Sequence, residues 1–146
     1  MEADGTVRGS RLLGQQFAAD KYFHSRPSAA GSGYDAVNSG GSNLGPTSKK
    51  LADAITQNIA DYRSQNDLAT NAPVPADAVT ASASGLDPHI SLRNAELQAP
   101  RVAKTRNIDL QKILNLVHAN TDCADLGLLG EPGVNVLLLN LALDKL

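Results

Sequence analysis

The chain has 146 residues, of which 42 % are hydrophobic and only 3 % aromatic, with 13 Lys and Arg against 15 Asp and Glu. This suffices for one domain, spanning 1–146, whose core must be aliphatic because Trp is absent. A net charge of −2 with scattered basic residues excludes the basic stripe of a nucleic-acid binder.

In chain order, GTVRGSRLLG (5–14) predicts a short strand or hairpin arm from its Thr, Val and glycines. QQFAADKYFH (15–24) predicts one or two helical turns and gathers Phe17, Tyr22 and Phe23. Residues 25–47 are rich in Ser, Gly, Pro and Asn; a loop this long in a compact domain is usually functional or disordered. From Ser48, Leu51, Ile55, Ile59 and Tyr62 form one stripe of a helix reaching Asn66, with Ser48 or Thr47 as N-cap.

Three prolines then mark 67–88 as irregular, with a brief strand predicted at Ala78–Thr80. Ser91 caps a helix to about Arg106 that buries Leu92, Ala95, Ala99 and Val102; Pro100 predicts a kink or a division into two short helices. Asp109 caps another helix, with Leu110, Ile113, Leu114 and Val117 inward. The end, VNVLLLNLALDKL, reads as a buried helix capped by Asn135 or as a strand turning into helix, mostly helix. These elements predict an α+β domain, helix-dominated, with a few short strands and long Gly/Ser/Pro loops.

No apolar run approaches the roughly 20 residues that cross a bilayer, since Asn135 and Asn140 break the longest. The polar beginning carries no signal-peptide pattern. Cys123 is the sole cysteine, with no zinc spacing and no basic neighbour to activate it, so it reads as structural or incidental within a polar loop with Asp122 and Asp125.

Three strings invite chemistry. GGSNLGPT (40–47) spaces Gly40, Gly45 and Thr47 like a phosphate-binding P-loop, but Pro46 stands where the lysine must neutralise phosphate charge. A tight turn leading into the helix at Ser48, with glycines that let backbone approach another surface, is the better reading. LLGQQ (12–16) resembles the LSGGQ signature but lacks its serine and one glycine. SGLDPHIS (84–91) holds Ser84, Asp87 and His89 within six residues, yet catalytic triads are assembled from distant segments. Asp87-Pro88 reads instead as a turn that fixes His89 before the Ser91 cap. His24 and His118 are isolated, no paired carboxylates stand out, and no catalytic set is complete.

Taken together, GSxLLGQ (9–15), YFxSRPS (22–28), SGGSNLGPT (39–47), SGLDPHIS (84–91), QxPRVA (98–103) and VNVLxLNLALD (134–144) resemble the KdpC family. The resemblance covers nearly all of 9–144 and runs in family order. It implies an accessory subunit of a bacterial high-affinity potassium-transporting ATPase, partnered by a channel-like potassium-translocating subunit and a P-type ATPase subunit. KdpC proteins begin with one membrane helix that this chain does not show. The expectation is therefore a soluble, extracytoplasmic domain of a single-pass inner-membrane protein, periplasmic in a Gram-negative cell.

No cofactor or metal is expected in this domain. A second implication, a catalytic chaperone that raises the ATPase subunit's affinity for ATP, would place Gln15 on the nucleotide. Residues that organise the loops or contact other subunits are expected at Arg26, Ser39, Gly40, Gly41, Asn43, Gly45, Asp87, His89 and Arg101. Residues 25–47 and 84–91 are expected to form one connected polar surface, with Arg26, Asn43, Asp87 and His89 tying the loops together.

Overall fold

The computed structural model describes residues 2–3, 5–7, 9–122 and 130–146, so the expectations for Cys123 and Asp125 lie outside the described residues. Strands β1 (Glu2–Ala3) and β2 (Thr6–Val7) pair antiparallel, and Gly5 adopts φ +71 between them, a left-handed turn conformation that suits glycine. Of the strand or hairpin arm expected over 5–14, only Thr6–Val7 is strand, and it pairs with residues ahead of that stretch; 9–14 is turn and irregular chain.

The helical turns expected over 15–24 do not form; the segment is irregular. Its backbone groups are claimed by side chains from elsewhere. Asn140 accepts from Phe23 N at 2.9 Å and donates to Phe23 O at 2.9 Å. Gln98 does the same for His24, at 2.7 and 3.1 Å. Two amide side chains therefore replace the ladder a helix would have supplied, and Phe23 is driven fully into the core.

Helix α1 (Lys49–Gln65) starts at Ser48, whose hydroxyl accepts from Leu51 N. Of its apolar stripe only Tyr62 is buried; Leu51, Ile55 and Ile59 are half-buried. Its packing partner is the 3-10 turn Ala76–Ala78, which stands where a strand was expected at 78–80. The Asp77 carboxylate in that turn receives Ser91 N, Ser91 Oγ and Asn94 Nδ2 at 2.8 to 2.9 Å, which fixes a tight turn rather than an extended pairing.

Strand β3 (His89–Ser91) leads into helix α2 (Leu92–Arg106) through the Ser91 cap, and Asn107 ends that helix at φ 54. Pro100 does not divide α2 into two helices. It lies on the exposed face, where solvent can meet the carbonyl that the proline leaves unpaired. Helix α3 (Leu110–Ala119) is capped by Asp109, as its sequence predicts. Strands β4 (Thr121–Asp122) and β5 (Gly133–Asn135) follow, and then helix α4 (Val136–Leu143), capped by Asn135. The last segment is thus a strand that becomes a helix.

β5 is the centre of an antiparallel sheet ordered β3-β5-β4, with Val134 opposite both Ile90 and Thr121. Ile90 and Val134 join Ala95, Ala99 and Val102 of α2, Ile113 and Val117 of α3, and Val136, Leu139 and Leu143 of α4 in one aliphatic core. The alanines of α2 keep its face low, which lets α3 pack closely against it. The result is a helix-dominated α+β domain in which α1 lies outside the main core and the irregular segment 15–47 enters it through Phe23.

Candidate functional site

Two polar regions lie outside the core. The first is a seam where 26–41 meets 82–87. Arg26 Nη1 lies 2.9 Å from Asp87 Oδ2, with both side chains about a quarter exposed. Asp87 Oδ1 accepts from His89 N at 3.0 Å, so the carboxylate closes its own turn and pairs with the other loop at once. The His89 ring stands 3.7 Å from Asp87 Oδ1 and 3.4 Å from Asp122 Oδ2.

Ser28 Oγ donates to Gly85 O at 2.6 Å and accepts from Ala30 N and Tyr34 N, which folds 28–34 around one hydroxyl. Ser39 Oγ and Gly40 N both donate to Ser84 O at 2.9 Å. Gly14 N donates to Leu86 O at 2.8 Å, which joins the LLGQ string to the same seam. Arg26 Nε is buried without a partner among the described residues.

The glycines divide by role. A Cβ on Gly85 would fall 2.7 Å from both Ala30 N and Gly40 O, one on Gly14 2.5 Å from Asp87 O, and one on Gly41 3.0 Å from Ala83 O. Gly40 and Gly45 face open space, so the close approach expected of the GGSNLGPT glycines holds for Gly41 alone. Asn43 makes the left-handed turn there, at φ 51. It does not tie the two loops as expected: no hydrogen bond to it is found among the described residues.

The second region is a cleft of about 440 Å³ between α1 and the strap formed by 16–18, 24–28 and 32–34. Its floor is a chain of amides. Tyr62 Oη donates to Asn94 Oδ1 at 2.8 Å, Gln98 Nε2 donates to the same oxygen at 2.9 Å, and Arg101 Nη2 donates to Gln98 Oε1 at 2.9 Å. Arg101 also gives Nε to Asn66 Oδ1 and Nη1 to the carbonyls of Asp20 and Tyr22. Burial pulls the Arg101 guanidinium below its ordinary value, and burial pushes the Tyr62 phenol up. His24 is held down by burial and by the nearby Arg101 charge, so its ring favours the neutral form.

Of the residues expected from sequence, Arg26, Ser39, Gly40, Gly41, Asp87 and His89 gather at the seam. Arg101 lies instead beneath the cleft, bonded to its lining residues Asn66 and Gln98. Gln15 sits beside the seam: its carbonyl accepts from Ser25 Oγ at 2.8 Å, and its side chain packs so tightly on Gly9 that a Cβ there would fall 1.7 Å from Nε2. Sequence reasoning missed the amides Asn58, Asn94 and Gln98. Asn94 and Gln98 were detectable as polar residues, one turn apart, beside the buried Ala95 and Ala99 of α2.

Neither region brings together a nucleophile, its base and an orienting group. Ser84 Oγ accepts from Leu86 N and makes no hydrogen bond with His89. Among the described residues there is no cluster of three His, Cys, Asp or Glu able to hold a metal ion, and no helix is long and apolar enough to cross a membrane. Both regions are built of backbone carbonyls, hydroxyls, amides and a few charged groups that hold one another in place.

Comparison with known proteins gives the domain a family. Residues 1–145 match the family model described as KdpC: K+-transporting ATPase, c chain. The chain is 58 % identical over 146 residues to the potassium-transporting ATPase KdpC subunit of Mycobacterium tuberculosis, covering 100 % of this chain and 77 % of that one. It is 52 % identical over 157 residues to the KdpC subunit of Bradyrhizobium diazoefficiens, covering 99 % and 77 %. With that of Koribacter versatilis it shares 51 % over 144 residues, covering 99 % and 73 %. The chain belongs to the KdpC family.

Proposed function

We propose that this chain is a non-catalytic accessory subunit of an ATP-driven, high-affinity potassium uptake system. In this reading it supports assembly of the channel-like, potassium-translocating subunit with the P-type ATPase subunit. The domain stands on the extracytoplasmic side of the inner membrane, held there by the single membrane helix that the family carries ahead of it.

The observation that carries the reading is the seam. Four of the strings that mark the family, at 9–15, 22–28, 39–47 and 84–91, meet there through Arg26–Asp87, Ser28–Gly85, Ser39–Ser84 and Gly14–Leu86. They supply shape and rigidity and no reactive pair. A surface already rigid before binding loses little conformational entropy on docking, which suits an assembly role.

The test is co-purification of the channel-like and ATPase subunits from cells that carry or lack the full-length chain. Assembly that depends on the chain supports the reading; undiminished assembly without it overturns the reading. Calorimetric titration with ATP, with and without magnesium, beside Gln15→Ala, reads the alternative of a catalytic chaperone. Saturable binding that weakens in the variant would favour that alternative.

A further inference from the structure

Among the described residues the exposed large hydrophobic side chains are Leu12, Leu13, Val37, Leu110 and Leu146, and only the first two are neighbours in the chain. Leu12 is 73 % and Leu13 41 % exposed, whereas Leu139 and Leu143 are fully buried. The turn that carries the pair is pinned. Leu12 N donates to Ser10 Oγ and Leu13 N to Ser10 O, each at 3.2 Å. Asn135 Nδ2, from the buried end of β5, donates to Arg11 O at 2.9 Å. The next residue, Gly14, is buried and donates to Leu86 O at 2.8 Å. Two leucines held outward by a backbone fixed on both sides lose little freedom on entering an apolar medium.

Position and charge name that medium. Glu2 stands opposite Val7 in the β1–β2 hairpin, so the chain returns to within about 5 Å of where it set out. The five residues from there to Leu12 span at most about 18 Å. Leu12 therefore lies within roughly 25 Å of Glu2, however the intervening chain runs. In the reading proposed above, the membrane helix leads into this end of the domain. Residues 5–19 hold Arg8 and Arg11 and no Asp or Glu. Arg11 is exposed, and its guanidinium has no ion pair or hydrogen bond among the described residues. A cation beside two exposed leucines matches the boundary of a bilayer that contains anionic lipid. There apolar side chains enter the acyl region and a guanidinium meets phosphates.

We infer that the turn 10–13 rests on the extracytoplasmic face of the membrane, with Leu12 and Leu13 inserted among the lipid chains and Arg11 on anionic headgroups. This rests on the reading of the chain as a membrane-anchored subunit whose domain stands outside the cytoplasm. A domain tethered by one helix can swivel about it. A second attachment in the same bilayer restricts that motion and holds the seam, which Gly14 joins directly after the leucines, at a fixed height above the lipid.

The test places a genetically encoded fluorescent amino acid at position 12 of the full-length chain, within the complex reconstituted in vesicles of phosphatidylethanolamine and phosphatidylglycerol. Positions 37 and 110, also exposed and apolar, are the controls. Lipids with a nitroxide near the glycerol end of the acyl chain quench a probe that enters the leaflet. Quenching at 12 should exceed that at 37 and 110 by about threefold or more. Arg11→Gln, or phosphatidylcholine in place of phosphatidylglycerol, should lower it about twofold. Arg11→Gln keeps the Asn135 bond, which uses the backbone carbonyl. If the probe at 12 lowers the melting temperature, it moves to 13. Equal quenching at all three positions overturns the inference. A probe at 12 shielded from aqueous iodide yet unquenched by lipid lies against another subunit, which also overturns it and leaves the assembly reading standing. Assembly of the other subunits without the chain overturns the assembly reading instead; quenching at 12 in the full-length chain alone, in the same vesicles, then still decides for or against the membrane contact.

Discussion

The Arg26 guanidinium meets the Asp87 carboxylate at 2.9 Å across 61 positions of chain, and the same carboxylate accepts the backbone N–H of His89. One side chain thus joins two loops and shapes one of them. Asp87→Ala should destabilise the domain by about 1–3 kcal/mol, because it strips the acceptor from a partly buried cation and from a turn. Urea denaturation measures the loss. Arg26→Met should cost less, since it leaves Asp87 its turn bond. An Asp87→Ala variant that unfolds like the wild type but fails to assemble with its partners would make Asp87 a contact residue rather than a tie.

Glycine substitutions separate close approach from mere turn propensity. Gly85 sits at φ +68, and a Cβ there would press on Ala30 N and Gly40 O at 2.7 Å. Gly85→Ala therefore combines left-handed strain with a backbone clash and should cost about 2 kcal/mol or more. Gly45 has no such φ and meets nothing within 4 Å. Gly45→Ala should leave the melting temperature unchanged or raise it slightly, by about 0.4–1 kcal/mol of reduced chain entropy in the unfolded state. Thermal melts of the two variants side by side check the contrast. Equal losses would mean that the whole GGSNLGPT stretch is sterically constrained.

What was legible in the sequence follows from which forces are local. Ser48, Ser91, Asp109 and Asn135 all cap the helices they were expected to cap, because a cap needs only its own first turn. The segment 15–24 was misread for the opposite reason: Asn140 and Gln98, more than 70 residues away, hold its backbone. At 78–80, local β preference lost to Asp77, which gathers Ser91 and Asn94 into one polar knot. The family strings led to the seam, since the residues that join the loops lie within them. The cleft was hidden because Asn58, Tyr62, Asn94 and Gln98 come from two helices whose meeting no local pattern announces.

His24 gives a pH dependence with a definite sign. Burial, and then the Arg101 charge, hold its folded value below the ordinary 6.5. Well above 6.5 the ring is neutral in both states and contributes nothing. As pH falls through 6.5 the unfolded chain takes up a proton that the folded chain resists, so stability falls until pH passes the folded value. Urea midpoints at about pH 7.5 and about pH 5.5 should therefore differ more for the wild type than for His24→Asn, which cannot titrate. Parallel midpoints would show that the ring titrates alike in both states.

Arg101 should be the least replaceable side chain in the polar network beneath the cleft. Its guanidinium reaches four acceptors in different directions: Asn66 Oδ1, Gln98 Oε1 and the carbonyls of Asp20 and Tyr22. A lysine ammonium is a point donor on a flexible stem and cannot span that set. Arg101→Lys should cost about 2–4 kcal/mol despite keeping the charge, since it leaves buried oxygens unpaired. Hydrogen exchange locates the damage. Phe23 N and His24 N, held by Asn140 and by Gln98, should lose protection before the amides of α3, because Arg101 positions the strap and the Gln98 side chain together. If Arg101→Lys loosens α3 and the strap equally, the guanidinium supports the whole core. If neither changes, lysine serves in its place and the fork geometry is dispensable.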